Sequence, residues 1–149
     1  MDKYVELERI LRKLAGWIKA EGRKVIKDSD YNITPAQFDV LQWIKWSDST
    51  MTELSCRLGV AKSTVTGLVN KLKEDGYIEY AVSDEDRRVR DLTITESGSE
   101  IIEKVLERRR EFVEELFSNI DDYLVDEFRK VLRIVANTIE IQSRNEKSE

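Results

Sequence analysis

The sequence predicts a mainly α chain with one small β-hairpin, on three observations. Apolar residues recur at i, i+3, i+4 and i+7 over most of the 149 residues, the spacing of helices that bury one face. Helix-start signals recur along the chain, clearest at Thr34-Pro35-Ala36-Gln37 and Thr50-Met51-Thr52-Glu53. Two short runs rich in branched and aromatic residues, 77–82 and 89–95, flank one polar turn. The resulting order is α-α-α-α-β-β-α-α.

Residues 4–27 place Leu7, Ile10, Leu11, Leu14, Trp17, Ile18 and Val25 on an amphipathic stripe, which Asp30-Tyr31-Asn32 ends. The second helix opens with Thr34 as N-cap, Pro35 at the first helical position and Gln37 three residues after the cap. It continues through Phe38, Val40, Leu41 and Ile44, and Ser47-Asp48-Ser49 reads as a loop. Thr50 and Glu53 form a second capping box for a short helix through Leu54 and Leu58, ended by Gly59. A fourth helix runs from about Ala61 to Asp75 and stops at Gly76. The hairpin follows, with Ser83-Asp84-Glu85-Asp86-Arg87-Arg88 as its charged tip. Thr95 caps a long helix bearing Ile101, Ile102, Val105, Leu106, Phe112, Val113, Leu116 and Phe117. Asp121 or Asp122 caps the last, which carries Leu124, Phe128, Val131, Leu132, Val135 and Ile139.

Composition narrows the chemistry. The length fits one domain, at roughly 100–200 residues each, and 40% apolar residues are enough for a core. No apolar run reaches the ~18 residues a membrane span needs, and the mixed N-terminus is no secretory signal, so a cytoplasmic protein is expected. With no histidine and one cysteine, Cys56, histidine-based catalysis, His-ligated metals, disulfides and Cys-rich zinc sites have no residues to use. Glycines are scattered singly, without a P-loop or dinucleotide fingerprint. No enzyme, cofactor or metal site is expected.

Two short helices joined by a glycine-containing turn and followed by a hairpin make a winged helix-turn-helix. On the fourth helix Val65, Leu68, Val69 and Leu72 face the core. Ser63, Thr66, Gly67, Asn70 and Lys71 face away, with Lys62 and Thr64 at its exposed start. Hydroxyls and amides of this kind bond phosphates and base edges, and Asn pairs with adenine. Between Ala61 and Lys73 there are three lysines and no acid, so positive charge is concentrated there in a chain of net charge −5. Arg87, Arg88 and Arg90 at the wing suit a narrow minor groove, and Asp86 is placed to orient Arg88.

These blocks resemble the MarR-type regulators. Thr34-Pro35-Ala36-Gln37-Phe38 is similar to the opening of their second helix. Met51-Thr52-Glu53-Leu54 with Leu58-Gly59-Val60-Ala61-Lys62-Ser63-Thr64-Val65-Thr66 is similar to their helix-turn-helix. Asp84-Glu85-Asp86-Arg87-Arg88 and Leu92-Thr93-Ile94-Thr95-Glu96-Ser97-Gly98 resemble their wing and its exit. The resemblance implies a homodimer built from the first and last helices, recognition helices in successive major grooves and wings in the flanking minor grooves. It implies repression relieved by a small aromatic or anionic effector, with Arg88 the minor-groove residue and Asp86 its orienter. The organisation expected is one domain, 1–149, with 34–95 as the winged DNA-binding part and 1–33 plus 96–149 as helical dimerisation part. Two-fold symmetry calls for a pseudo-palindromic operator with half-sites about 10 bp apart.

Plainer readings stand beside these. Trp17, Tyr31, Trp43 and Trp46 are candidates for an effector pocket, although large aromatics are usually core. Cys56, with only Arg57 nearby to lower its pKa, reads as a passive thiol. Glu107-Arg108-Arg109-Arg110-Glu111 reads as a solvated helix face. A winged-helix protein-interaction module without DNA binding is the alternative function; the acidic pI of about 5.1 favours it, whereas the polar, acid-free face of residues 62–73 does not.

Overall fold

A computed structural model describes residues 2–46, 50–80 and 92–146. The elements follow the predicted order: α1 (Lys3–Lys27), α2 (Pro35–Trp46), α3 (Met51–Leu58), α4 (Lys62–Glu74), β1 (Ile78–Tyr80), β2 (Leu92–Ile94), α5 (Glu96–Phe117) and α6 (Asp122–Glu146). The loop expected at 47–49, the hairpin tip and the outer ends of both strands lie outside the described residues.

The helix starts follow from local chemistry. Thr34 Oγ1 accepts from the Gln37 amide at 3.2 Å while Gln37 Oε1 accepts from the Thr34 amide at 2.7 Å, which satisfies two otherwise orphaned donors reciprocally. Thr50 Oγ1 accepts from the Glu53 amide at 3.2 Å. Asp121 rather than Asp122 caps α6, accepting from the Tyr123 amide at 2.9 Å. Thr95 has two roles: it accepts from the Gly98 amide at 3.2 Å and donates to the Gly76 carbonyl at 2.6 Å, tying the start of α5 to the end of α4.

The strands pair antiparallel, with Ile78 opposite Ile94, Glu79 opposite Thr93 and Tyr80 opposite Leu92. By contact the chain separates into two units, Met1–Phe112 and Val113–Glu149. The sequence reading divided it instead by role, at residues 33/34 and 95/96.

In the first unit the core gathers Ile26 from α1; Phe38, Val40, Leu41 and Ile44 from α2; Leu54 from α3; and Val65, Val69 and Leu72 from α4. Ile33 ahead of α2, Tyr77, Ile78 and Leu92 from the hairpin, and Ile101, Ile102 and Val105 from α5 complete it. Two glycines allow close approaches. A Cβ on Gly98 would strike the Tyr77 carbonyl oxygen. One on Gly22 would lie 2.7 Å from Arg109 Nε and 2.9 Å from Val105 Cγ1, so α1 meets α5 there without room for a side chain.

Helix α1 leaves Leu7, Ile10, Leu11 and Trp17 exposed. The second unit has a Phe117–Phe128 ring stack at 5.8 Å, yet α6 has no buried residue. Amphipathic helices with bare apolar faces require a partner surface. Among the described residues no helix is long and apolar enough to cross a membrane.

Candidate nucleic-acid interface

The α3–α4 turn is built by glycine. Gly59 adopts φ 65°, in the left-handed region that glycine enters without a Cβ penalty. The Val60 amide then bonds back to the Ser55 carbonyl at 3.1 Å, which closes α3. Gly76, at φ 80°, ends α4 in the same way, with the Tyr77 amide on the Leu72 carbonyl at 3.0 Å.

Between these stops α4 is held by Val65, Val69 and Leu72, all buried, with Leu68 half-buried. Lys62, Ser63, Thr64, Thr66, Gly67, Asn70 and Lys71 are all exposed. The structure thus brings every recognition-helix candidate to one solvent-facing surface. Nothing lies within 4 Å of a Cβ built on Gly67. Thr66 donates its hydroxyl to the Lys62 carbonyl at 3.1 Å, leaving its oxygen free to accept. Beside Thr66 and Asn70 runs a cleft of about 390 Å³ floored by Met51, Val69 and Leu92.

Charge on this face is less uniform than the sequence indicates. Lys71 lies 3.3 Å from Asp75 and 3.9 Å from Glu74, because i+3 and i+4 bring those acids alongside it. Lys73 covers the Tyr80 ring at 3.9 Å. Lys62 has no ion-pair partner among the described residues. It stands where α4 begins on Ala61, a position with no side-chain cap, and the Thr64 amide turns back to the Ala61 carbonyl at 3.0 Å instead. The wing candidates Asp86, Arg87, Arg88 and Arg90 lie outside the described residues.

A second concavity, about 570 Å³, opens between α1, α2, α3 and α5. Trp43 and Trp46 line it; Trp17 and Tyr31 do not. Trp17 is 54% exposed on α1, and Tyr31 packs against the core beneath Lys104, 5.1 Å from its ring. Four of the other lining residues are charged: Lys19, Asp39, Arg57 and Arg109. Lys19 pairs with Asp39 at 3.7 Å, and Arg57 lies over the Trp43 ring at 4.6 Å.

Arg109 lies 5.8 Å from the Phe38 ring with its Nε buried and unbonded. Burial pushes its guanidinium below the usual range, Asp39 opposes that and Arg23 adds to it. An excess of cations beside an indole suits a flat anion. The sequence reading missed these cations because it sought only aromatics. The signal for Arg109 is its phase, seven residues beyond the buried Ile102 and four beyond the buried Val105.

Cys56 is exposed on α3. Among the described residues, no cluster of three or more His, Cys, Asp or Glu side chains is arranged to hold a metal ion.

Residues 31–89 match the MarR family. Over 133 residues the chain is 32% identical to the uncharacterized HTH-type transcriptional regulator YsmB of Bacillus subtilis, covering 89% of this chain and 90% of that one. It is 28% identical to the HTH-type transcriptional repressor IacR of Pseudomonas putida, over 83% of this chain and 78% of that protein. The crystal structure of the transcriptional regulator Tm0710 of Thermotoga maritima superposes with a TM-score of 0.69 at 45% identity, covering 91% of this chain and 94% of that one.

Proposed function

The chain belongs to the MarR family of DNA-binding transcription regulators, and we propose that it is an effector-responsive repressor that grips a pseudo-palindromic operator as a homodimer. The observation that carries this is the outward face of α4: exposed, polar and free of acids from Lys62 to Lys71. Phosphate neutralisation supplies affinity and makes it fall with salt; contacts to base edges supply discrimination. Asn70 is assigned to a base edge, and Lys62, Ser63 and Thr64 to phosphate and groove wall. Arg88, oriented by Asp86, is assigned to the minor groove, with Arg87 and Arg90 beside it.

Repression is supported by the likeness to the repressor IacR. The bare apolar faces of α1 and α6 support dimerisation through those helices. The Trp43–Trp46 concavity, with Arg57 and Arg109, is assigned to a small aromatic anion. Such an effector releases DNA only if it prefers the dimer geometry whose α4 helices miss the half-site spacing. The reading places the protein's work in the cytoplasm, with the DNA it regulates.

The test is fluorescence anisotropy of duplex from the gene's own upstream region, with wild type and Arg88→Ala, across salt concentrations. Salt-steep binding that weakens in Arg88→Ala is expected. Equal affinity of the two proteins would remove Arg88 from the interface, and no binding to any duplex from a random pool would overturn the DNA reading.

A further inference from the structure

The winged domain is not the only basic surface. From Arg9 to Lys27, α1 holds seven lysines and arginines against one acid, Glu21, in a chain of net charge −5. Three of those cations have anionic partners: Arg12 with Glu8, Lys19 with Asp39 and Lys24 with Glu21. Arg9, Lys13, Arg23 and Lys27 pair with no described residue.

Those four do not lie at random. At about 100° per residue, positions 9, 13, 16, 20, 23 and 27 fall within about 80° of one another on α1. The stripe is therefore Arg9, Lys13, Gly16, Ala20, Arg23, Lys27, and all six are exposed. It has two cations at each end and the two smallest side chains in the middle. At about 1.5 Å per residue it is about 27 Å long.

The arrangement works against the helix that carries it. Like charges at i, i+4, as in Arg9/Lys13 and Arg23/Lys27, repel. Gly16 is a poor helix former, and a Cβ built on it meets nothing within 4 Å, so no packing within the chain accounts for it. Arg23 also faces the like charge of Arg109. Of the acids on α1, Glu8 and Glu21 lie off the stripe and pair with Arg12 and Lys24, and Glu6 stands only at its N-terminal edge.

We propose that this outward face of α1 is a second, sequence-independent contact for duplex DNA, separate from α4. A rigid polyanion neutralises both ends at once, and the flat centre at Gly16 and Ala20 lets it approach the helix backbone. A bilayer fits less well. Membrane-surface helices set a continuous apolar face where it can sink beside the basic one, whereas here only Val5 and Trp17 are exposed in or beside the stripe and Leu7, Leu11, Leu14 and Ile18 lie on the opposite side of α1.

The test compares wild type with Arg9→Gln/Lys13→Gln/Arg23→Gln/Lys27→Gln on a random-sequence duplex and on the operator, by anisotropy across salt. Glutamine keeps length and helix propensity, and thermal melting and sedimentation check fold and dimer. Each lost phosphate contact should reduce the slope of log K against log salt by about 0.9. A slope shallower by about 3–4, at least tenfold weaker binding at low salt and an unchanged operator-to-random ratio are expected. Gly16→Glu alone, with all four cations kept, should weaken binding to both duplexes.

Equal slopes for wild type and the fourfold variant would overturn the proposal while leaving the α4 reading intact. A fourfold variant that sediments as a monomer would overturn it too, by making the stripe a subunit contact. Wild type that binds no duplex would sink both readings together.

Discussion

Gly67→Ala separates what the fold wants from what DNA wants. Gly67 is in the interior of α4, exposed, and a Cβ built there meets nothing within 4 Å. Alanine therefore removes the glycine penalty without a clash, a gain of about 0.8–1 kcal/mol. For a chain of this length that raises the melting temperature by about 2–4 °C. The same methyl projects from the face that carries Thr66 and Asn70, where the helix would approach the groove floor. Loss of about 1.4 kcal/mol in operator binding, a factor of ten, is the expected companion. Differential scanning calorimetry and anisotropy on the same preparations read the two quantities. A variant that is more stable and binds equally well would refute the close approach. One that is less stable would show that Gly67 serves the fold in a way its open surroundings do not reveal.

Three further outcomes follow from the packing. Gly22→Ala pushes a methyl against Val105 and Arg109 and should lower stability by about 1–3 kcal/mol, whereas Gly16→Ala, in open space, should raise it; urea titration compares the two. Hydrogen bonds from Lys24 and, across to α5, Arg108 hold the Glu21 carboxyl below its ordinary range. A depressed folded pKa means the stabilisation is present above the unfolded value of about 4.3 and is lost as pH falls through the folded one. Glu21→Gln should therefore show a smaller drop in urea midpoint on acidification than wild type. Because α6 buries nothing within one chain, the melting temperature should rise with protein concentration; a concentration-independent melt of a verified dimer would contradict the assignment of α6 to the interface.

What the sequence made legible was local. Capping residues act within three positions of the amides they bond, so Thr34, Gln37, Thr50 and Thr95 could be read in place. The α4 faces were legible because Val65, Val69 and Leu72 keep strict helical phase. The ion pairs of Lys71 are equally local, but Glu74 and Asp75 stand just past the acid-free stretch 61–73 and so outside its charge balance. The anion-friendly concavity was not legible because it is assembled from four helices. Lys19, Arg57 and Arg109 are far apart in the chain, and Arg109 sat in a charged run that read as solvated. Aromatic identity alone could not sort Trp43 and Trp46, which line that space, from Trp17 and Tyr31, which do not. The basic stripe of α1 required phase and pairing together: which cations share a face, and which already have partners.

The absence of a cap at Ala61 sets a tempo. A first turn without a side-chain cap opens more often than the middle of α4, and its protons exchange sooner. While it is open, Lys62 and Ser63 are out of the geometry in which they would meet a duplex. Apparent affinity is scaled by the fraction of time the turn is formed. A serine at this position would keep the turn closed and lengthen each stay on DNA. Under the proposed function, alanine would keep the stays short, so that occupancy would follow the supply of regulator and effector without delay.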